Sequence, residues 1–185
     1  MTRTLVIGGA RSGKSAYAEQ LAAQSGRKVV YIATAESRDS EMAARIALHR
    51  ERRDAGWSTV EEPLALGDAI ARSSTPGSIV LVDCLTVWLS NLLFSECKEF
   101  PDVGRIDPPA AFAEQRARFL QSLEQARGDV ILVSNEVGLG IVPQGAVSRW
   151  FVDAAGRLNQ AVAARCECAV FIAAGLPLVL KGAPC

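Results

Sequence analysis

The composition of this chain is that of an ordinary soluble globular protein. Its 185 residues include 20 Lys and Arg against 20 Asp and Glu, so the formal net charge is zero, and 49% of the residues are hydrophobic. This length predicts a single domain over residues 1–185, and the charge balance does not favour nucleic-acid binding, which usually goes with a basic excess. No secretory signal is recognisable and no apolar run approaches the ~18–20 residues that span a bilayer, so we expect a cytoplasmic protein without a membrane span. Five cysteines, an odd number at irregular spacing, predict reduced thiols.

Apolar runs of strand length alternate with helix-forming stretches along the chain. Strands are predicted at 4–7, 28–33, 79–83, 130–135 and 169–173, and helices at 16–23, 40–54, 87–94, 110–127 and 147–165. The stretch 95–109, with three prolines and a glycine, predicts a loop. Residues 178–181 follow Gly175-Leu176-Pro177 and predict an antiparallel edge strand, because proline is tolerated only at an edge or a strand start.

This alternation predicts an α/β fold with a mainly parallel sheet flanked by helices. Ligands of such folds bind at the carboxyl ends of the strands. The prediction therefore brings the residues after the first strand together with Thr34, Asp83 and Asn135 on one rim of the sheet.

Residues 8–15, here called the phosphate loop, fit the pattern G-x-x-x-x-G-K-[ST] between a predicted strand and a predicted helix. Backbone N–H groups and the helix dipole make this arrangement an anion site. Lys14 is expected to reach the β- and γ-phosphates of a nucleotide, and the Ser15 hydroxyl to bind Mg²⁺. A chance glycine-rich turn is the alternative, but the strand–loop–helix context favours a true phosphate loop. The fold expected for the chain is a P-loop NTPase fold of the RecA-like kind. The nucleotide contacts predicted here are Gly8, Gly9, Ala10, Arg11, Ser12, Gly13, Lys14 and Ser15.

Asp83 ends an apolar strand and is the predicted acidic partner of the phosphate loop. A carboxylate at this position commonly holds Mg²⁺ directly or through water. The alternative is an aspartate that caps a turn or the next helix.

His49 is the only histidine of the chain and lies in a basic stretch. Projected on a helix, it shares one side with Glu41 and Arg45. Nearby arginines disfavour protonation of the imidazole, and a neutral imidazole is a nucleophile. The same arginines would bind a triphosphate and neutralise charge on leaving pyrophosphate. A solvated basic helix face with an incidental histidine explains the pattern equally well.

Asn135 and Glu136 directly follow a predicted strand and precede two glycines. Asn135 is a candidate for sensing the γ-phosphate, and Glu136 for the general base of a phosphoryl transfer. A glycine-rich loop that only reverses the chain is the alternative for both.

Seven stretches, in order along nearly the whole chain, form a combination more specific than the phosphate loop alone. They are the phosphate loop, Tyr31-Ile32-Ala33-Thr34, residues 41–46 followed by His49, Trp57 with Glu61, residues 83–86 with 91–94, residues 134–143, and residues 153–160. Together they resemble the bifunctional adenosylcobinamide kinase/adenosylcobinamide-phosphate guanylyltransferase family of cobalamin biosynthesis.

The resemblance implies two reactions. One phosphorylates the aminopropanol hydroxyl of adenosylcobinamide with ATP or GTP, and the other transfers GMP from GTP to adenosylcobinamide phosphate. In the family the guanylyl group rests on a histidine that maps onto His49. Contacts to GTP, with Mg²⁺ as cofactor, map onto the phosphate loop, Thr34, Ala35, Glu36, Arg50, Glu51, Arg52, Arg53, Glu61 and Asp83. Family members are homo-oligomers, trimers among them.

Two positions depart from the family pattern. Some relatives carry Glu in place of Asp83, and some carry a second histidine in place of Leu48. A simple kinase in which His49 is idle remains an alternative, and so does a nucleotide-dependent switch without transferase chemistry.

Overall fold

The centre of the molecule is a seven-stranded β-sheet, seen in a computed structural model that describes residues 1–36, 54, 56–96 and 99–183. The strands are β1 Arg3–Gly8, β2 Lys28–Ala33, β3 Ser58–Glu61, β4 Ser78–Asp83, β5 Asp129–Asn135, β6 Cys168–Ala173 and β7 Leu176–Lys181. Their order is β3-β2-β4-β5-β1-β6-β7, and all neighbours are parallel except β6 and β7. The predicted α/β fold with a mainly parallel sheet is confirmed.

Strand β7 is the antiparallel edge strand that the sequence predicts, although it begins two residues earlier. Ala174 and Gly175 connect it to β6 with positive φ angles of 52° and 78°, as in the two-residue turns typical of hairpins. Pro177 lies opposite Ile172 of β6. The proline is tolerated because β7 pairs with a single strand, β6, in the part of the chain that the structure describes.

Helices cover both faces of the sheet. The helices of the described residues are α1 Lys14–Gln24, α2 Leu66–Ser73, α3 Leu85–Leu93, α4 Ala110–Glu124 and α5 Ala146–Arg165. Ala18 and Ala22 of α1 pack with Val6 on one face, whereas the other four helices pack with Leu5 and Ile7 on the opposite face. Successive strand side chains point to opposite faces, and because both faces are buried the central residues of the inner strands are mostly apolar.

Two elements were not predicted from the sequence, namely β3 and α2. The predicted helix over 40–54 lies outside the described residues except for Asp54. Residues 99–109 contain neither helix nor strand, in agreement with the predicted loop. Within that loop Ile106 is buried against Leu93 and Ala146.

The cysteines depart from the sequence prediction. Cys84 and Cys166 are free and buried, but Cys168 is disulfide-bonded, so the expectation of a fully reduced set is wrong for that residue. Within the described ranges, no helix has both the length and the apolar character that crossing a membrane requires.

Candidate functional site

The phosphate loop joins the carboxyl end of β1 to the first residue of α1. Gly13 precedes α1 with φ 95° and Arg11 has φ 56°, both in the left-handed region. The N-cap residue Gly13 has no side chain that could cap α1, so the N–H groups of the first turn point from the helix end toward the space beside the loop. This geometry is suited to binding a phosphate group.

Lys14 lies where the phosphate loop meets α1. It is the first residue of α1 and is only 9% exposed. Its Nζ donates a hydrogen bond of 3.1 Å to the carbonyl oxygen of Gly9. The ammonium group is therefore held over the loop, where its charge is directed at any anion bound by the helix end.

Glycine stands at positions 8, 9 and 13 of the phosphate loop for different physical reasons. A Cβ on Gly8 would lie 2.5 Å from the carbonyl oxygen of Ile172, and one on Gly13 would lie 3.1 Å from Cα of Gly175. The Gly175 N–H also donates to the Ser12 carbonyl at 2.8 Å. The loop thus packs tightly on the turn between β6 and β7. At Gly9, by contrast, a Cβ would meet no atom of the described residues within 4 Å, which leaves room for a ligand beside the described part of the chain.

Asp83 ends β4 on the same rim of the sheet. The buried Tyr31 donates a hydrogen bond of 3.0 Å from its hydroxyl to Oδ2 of Asp83. The alternative that Asp83 caps the next helix has no support, because Cys84 is the N-cap residue of α3 and makes no side-chain cap. A tyrosine thus fixes the direction of a carboxylate at the predicted metal position.

Thr34 connects the ends of β2 and β4. Its side chain is completely buried. The hydroxyl donates to the Cys84 carbonyl at 2.8 Å and accepts from the Cys84 N–H at 2.9 Å. The backbone of Cys84 therefore engages the Thr34 hydroxyl both as a donor and as an acceptor, although Thr34 is a predicted nucleotide contact.

Burial makes Cys84 an unreactive neighbour of Asp83. Desolvation, followed by the negative charge of Asp83, raises the pKa of the Cys84 thiol to about 11. At neutral pH the thiol is protonated, and the thiolate is the nucleophilic form. Cys84 is therefore not a rival nucleophile at this site.

Asn135 ends β5, which lies between β4 and β1. It pairs in register with Gly8, and its side-chain Nδ2 and backbone N–H both donate to Thr86 Oγ1, at 3.1 and 2.8 Å. The next residue, Glu136, donates from its N–H to the Gly8 carbonyl at 3.0 Å and accepts the Gly138 N–H on Oε1 at 2.6 Å. Both residues are thus fixed beside the start of the phosphate loop.

The register of the sheet brings most of the predicted residues to one rim. Ala33, which precedes Thr34, pairs with Glu61 on one side and Asp83 on the other. Ala35 and Glu36 follow Thr34 and are half-buried, whereas Glu61 is exposed. His49, Arg50, Glu51, Arg52 and Arg53 lie outside the described residues, so their positions stay predictions.

Helix α3 supplies polar contacts that the sequence analysis did not assign. The Asn91 side chain donates to the carbonyls of Thr34 and Pro63, at 2.8 and 3.2 Å. The Trp88 indole donates to the Leu64 carbonyl at 2.8 Å. One helix thus holds the chain on both sides of residues 37–53. The signal in the sequence is an asparagine within an apolar helix, since a buried amide is costly without partners.

The fold and this rim define a P-loop nucleotide-binding protein. The strand order is RecA-like, with β5 inserted between the strand that precedes the phosphate loop and the strand that ends in Asp83. The fold is similar to that of the assembled ATPase EscN from the type III secretion system of enteropathogenic E. coli, with a TM-score of 0.54. The two are 13% identical, and the match covers 94% of this chain and 43% of that one, so the likeness concerns the fold alone.

Comparison with known sequences identifies the family. Residues 4–180 match the family described as cobinamide kinase / cobinamide phosphate guanyltransferase, and the chain belongs to this family. The bifunctional adenosylcobalamin biosynthesis protein CobP of Pseudomonas aeruginosa strain PAO1 is 52% identical over 98% of this chain and 99% of its own length. The corresponding CobU of Escherichia coli K12 is 39% identical over 96% of this chain and 98% of its own length. The resemblance noted from the sequence motifs is confirmed.

Proposed function

We propose that this protein is a bifunctional enzyme of cobalamin biosynthesis. It phosphorylates the aminopropanol hydroxyl of adenosylcobinamide with ATP or GTP and then transfers GMP from GTP to that phosphate, giving adenosylcobinamide-GDP and pyrophosphate. The observation that carries the proposal is the match over 98% of the chain to a bifunctional relative. A phosphate loop with Lys14 held over it supports the nucleotide-dependent part.

The first reaction is a displacement at the γ-phosphorus. The hydroxyl oxygen of the acceptor forms a bond to phosphorus while the bond to the nucleoside diphosphate breaks, and the hydroxyl proton passes to Glu136. Lys14 and the first turn of α1 stabilise the charge on the transferring group. Catalysis of this kind depends on positioning and electrostatics rather than on covalent chemistry by the protein.

Ser15 and Asp83 are the residues that would hold Mg²⁺. One hydroxyl and one carboxylate suit this ion, which keeps several waters and takes its remaining ligands from phosphates. The hydrogen bond from Tyr31 to Asp83 Oδ2 holds the carboxylate in a single direction. When bound, the ion neutralises charge on the phosphate oxygens.

The second reaction is a displacement at the α-phosphorus. A neutral His49 nitrogen forms a bond to phosphorus and pyrophosphate leaves, which gives a guanylyl-histidine. An oxygen of adenosylcobinamide phosphate then attacks the same phosphorus and releases the histidine. Arg50, Arg52 and Arg53 would neutralise charge on the leaving pyrophosphate.

We further propose a homo-oligomer, with a trimer as one candidate, acting in the cytoplasm as a single transferase domain over residues 1–185. The support for the oligomer is the family resemblance. Sedimentation of the purified full chain at several concentrations tests the oligomeric state.

Position-specific labelling of GTP tests the proposal. Label in the γ-phosphate should appear in adenosylcobinamide phosphate, whereas label in the α-phosphate should appear first in the protein and then in adenosylcobinamide-GDP. The protein adduct should be labile in acid and stable in base, as a phosphoramidate is, and His49→Ala should lose it while retaining transfer from the γ-position.

The same experiment separates the alternatives. A simple kinase would transfer label from the γ-position and never label the protein from the α-position. A switch protein would hydrolyse GTP at a rate independent of added adenosylcobinamide. Either result would contradict the proposed pair of reactions and support the corresponding alternative.

A further inference from the structure

The connection between β5 and α5 displays a group of apolar side chains to solvent. Leu139 is 80% exposed, Ile141 98% and Val142 74%. We call residues 137–142 the apolar loop. Adjacent apolar side chains this exposed are unusual on a folded surface and commonly mark a binding site.

Hydrogen bonds hold the apolar loop at both ends. At its start, Oε1 of Glu136 accepts the Gly138 N–H at 2.6 Å. At its end, Arg149 donates to the carbonyls of Pro143 and Gln144. Hydrogen bonds at its two ends therefore hold the apolar loop in place, while its apolar side chains point away from the core.

Neither packing nor backbone conformation within the fold requires a glycine at Gly140. Among the described residues, a Cβ there would meet no atom within 4 Å, and Gly140 is not among the residues with positive φ. It separates Leu139 and Ile141, the two most exposed apolar side chains of the apolar loop. A glycine that neither conformation nor packing requires leaves space for close approach of something outside the chain.

The apolar loop is continuous with the nucleotide site. It starts two residues after Asn135, which pairs with Gly8 of the phosphate loop, and the intervening Glu136 is bonded to Gly8 as well. A phosphoryl acceptor must approach this rim to reach the γ-phosphate. An acceptor with a large apolar ring would therefore meet the apolar loop while its hydroxyl reaches the nucleotide.

We propose that the apolar loop is the surface on which the corrin ring of the acceptor packs during both reactions. The inference rests on the proposed function, since that function supplies an acceptor with a broad, flat macrocycle. Leu139, Ile141 and Val142 contact the ring face, and Gly140 allows the ring to approach the backbone. These residues determine affinity for the acceptor and do not touch the nucleotide.

The test is the variant that combines Leu139→Ser with Ile141→Ser, measured in the full-length enzyme. Loss of two apolar contacts should raise the KM for adenosylcobinamide by about tenfold or more. The KM for the nucleotide, and protein labelling from α-labelled GTP without acceptor, should stay unchanged. Equilibrium dialysis of adenosylcobinamide without nucleotide should show the same weakening.

A matched control combines Leu178→Ser with Leu180→Ser in β7. These leucines are 61% and 59% exposed, and β7 runs away from the rim because it is antiparallel to β6. The control should keep the KM for adenosylcobinamide of the unmodified enzyme. If the double variant of the apolar loop fails to fold, Gly140→Ala is tested in its place. The methyl group that this substitution adds meets no atom of the described residues within 4 Å.

Several results would overturn the inference. An unchanged KM for adenosylcobinamide in the loop variant would do so, and so would an equal rise in the β7 control. Dissociation of an oligomer together with lost acceptor binding would assign the apolar loop to a contact between copies of the chain. If the unmodified enzyme does not phosphorylate adenosylcobinamide at all, the proposed function itself has failed.

Discussion

Hydrogen bonds within the protein orient single residues at the rim. Asp83 receives a hydrogen bond from Tyr31, a residue of the neighbouring strand β2. Lys14 donates to its own loop at Gly9. Groups held in this way need little reorganisation when charge develops on the substrate.

Replacing Tyr31 with Phe removes one hydroxyl and leaves the ring in the core. The Asp83 carboxylate then loses its orienting donor, and such changes commonly weaken metal binding by about tenfold. We expect Tyr31→Phe to require about tenfold more Mg²⁺ for full GTP affinity, as measured by calorimetric titration. Affinity for GTP without metal should not change, and a loss of that affinity would show that Tyr31 acts through the fold.

Replacing Lys14 with Ala removes the cation directed at the phosphates. Removal of one preorganised donor costs about 10²- to 10³-fold in rate, and we expect Lys14→Ala to lose phosphorylation of adenosylcobinamide by at least this factor. The control is Lys28→Ala at the exposed first residue of β2. Near-normal turnover by Lys14→Ala in a steady-state assay would remove the phosphate loop from the kinase reaction.

At the scale of elements, helices α2 and α4 approach each other closely at Gly67. A Cβ at Gly67 would lie 2.8 Å from the backbone atoms of Arg118 and Phe119. Because backbone atoms cannot move aside as the end of a flexible side chain can, an alanine in place of Gly67 would push α2 and α4 apart. The tilted ring contact between Trp88 and Phe119, with ring centroids 5.0 Å apart, would be disturbed as well.

Gly67→Ala and Gly156→Ala make a matched pair in helices. We expect Gly67→Ala to lower the free energy of unfolding by about 1–3 kcal/mol or more through overpacking. Gly156 lies in α5, and a Cβ there meets nothing within 4 Å, so Gly156→Ala should raise stability by up to about 1 kcal/mol through helix propensity. Urea unfolding of both variants provides the comparison, and equal effects would contradict the packing argument.

The elements that the sequence reveals are those with a strong local pattern. The buried strands β1, β2, β4, β5 and β6 are continuous apolar runs, and the phosphate loop is a fixed motif. Strand β3 reads Ser-Thr-Val-Glu and is mostly exposed, so its pairing with β2 has no local signature. Helix α2 has eight residues with Gly67 in second position, and a glycine there weakens any helix prediction.

Much of the candidate site depends on long-range contacts for the same reason. The partners Tyr31 and Asp83 are 52 residues apart, and Asn91 and Thr34 are 57 apart. Residue types and their spacing do not predict which distant residues will be hydrogen-bonded to each other. The ends of parallel strands, by contrast, do predict that the residues following them lie at the same rim of the sheet. The rim was therefore predictable, and the hydrogen bonds that fix it were not.

At the scale of the whole molecule, an ion pair joins the first strand to the start of β6. Glu167 Oε1 lies 2.6 Å from Nη2 of Arg3, and Oε2 accepts a hydrogen bond of 2.6 Å from the backbone N–H of Arg3. Hydrogen bonding by the Arg3 side chain lowers the pKa of Glu167 from 4.5 to about 2. Because the folded-state pKa is the lower one, the pair stabilises the protein above pH 4.5, and this contribution is lost as the pH falls toward 2.

Glu167→Gln tests this dependence on pH. The variant should be less stable than the unmodified protein at pH 7 by about 1 kcal/mol or less, since both side chains are partly exposed and screened by solvent. The difference should shrink as the pH falls from 4.5 toward 2. Denaturant unfolding across that range measures it, and a difference that stays constant with pH would contradict the role of the carboxylate charge.

The proposed function requires that one protein carry out both transfers, with His49 as the carrier of GMP. The most direct measurement is mass spectrometry of the intact protein after incubation with GTP and Mg²⁺, followed by mapping of the modified peptide. We expect one GMP adduct, located on His49 and removed by adenosylcobinamide phosphate. An adduct on another residue, or no adduct while adenosylcobinamide-GDP is still formed, would contradict it.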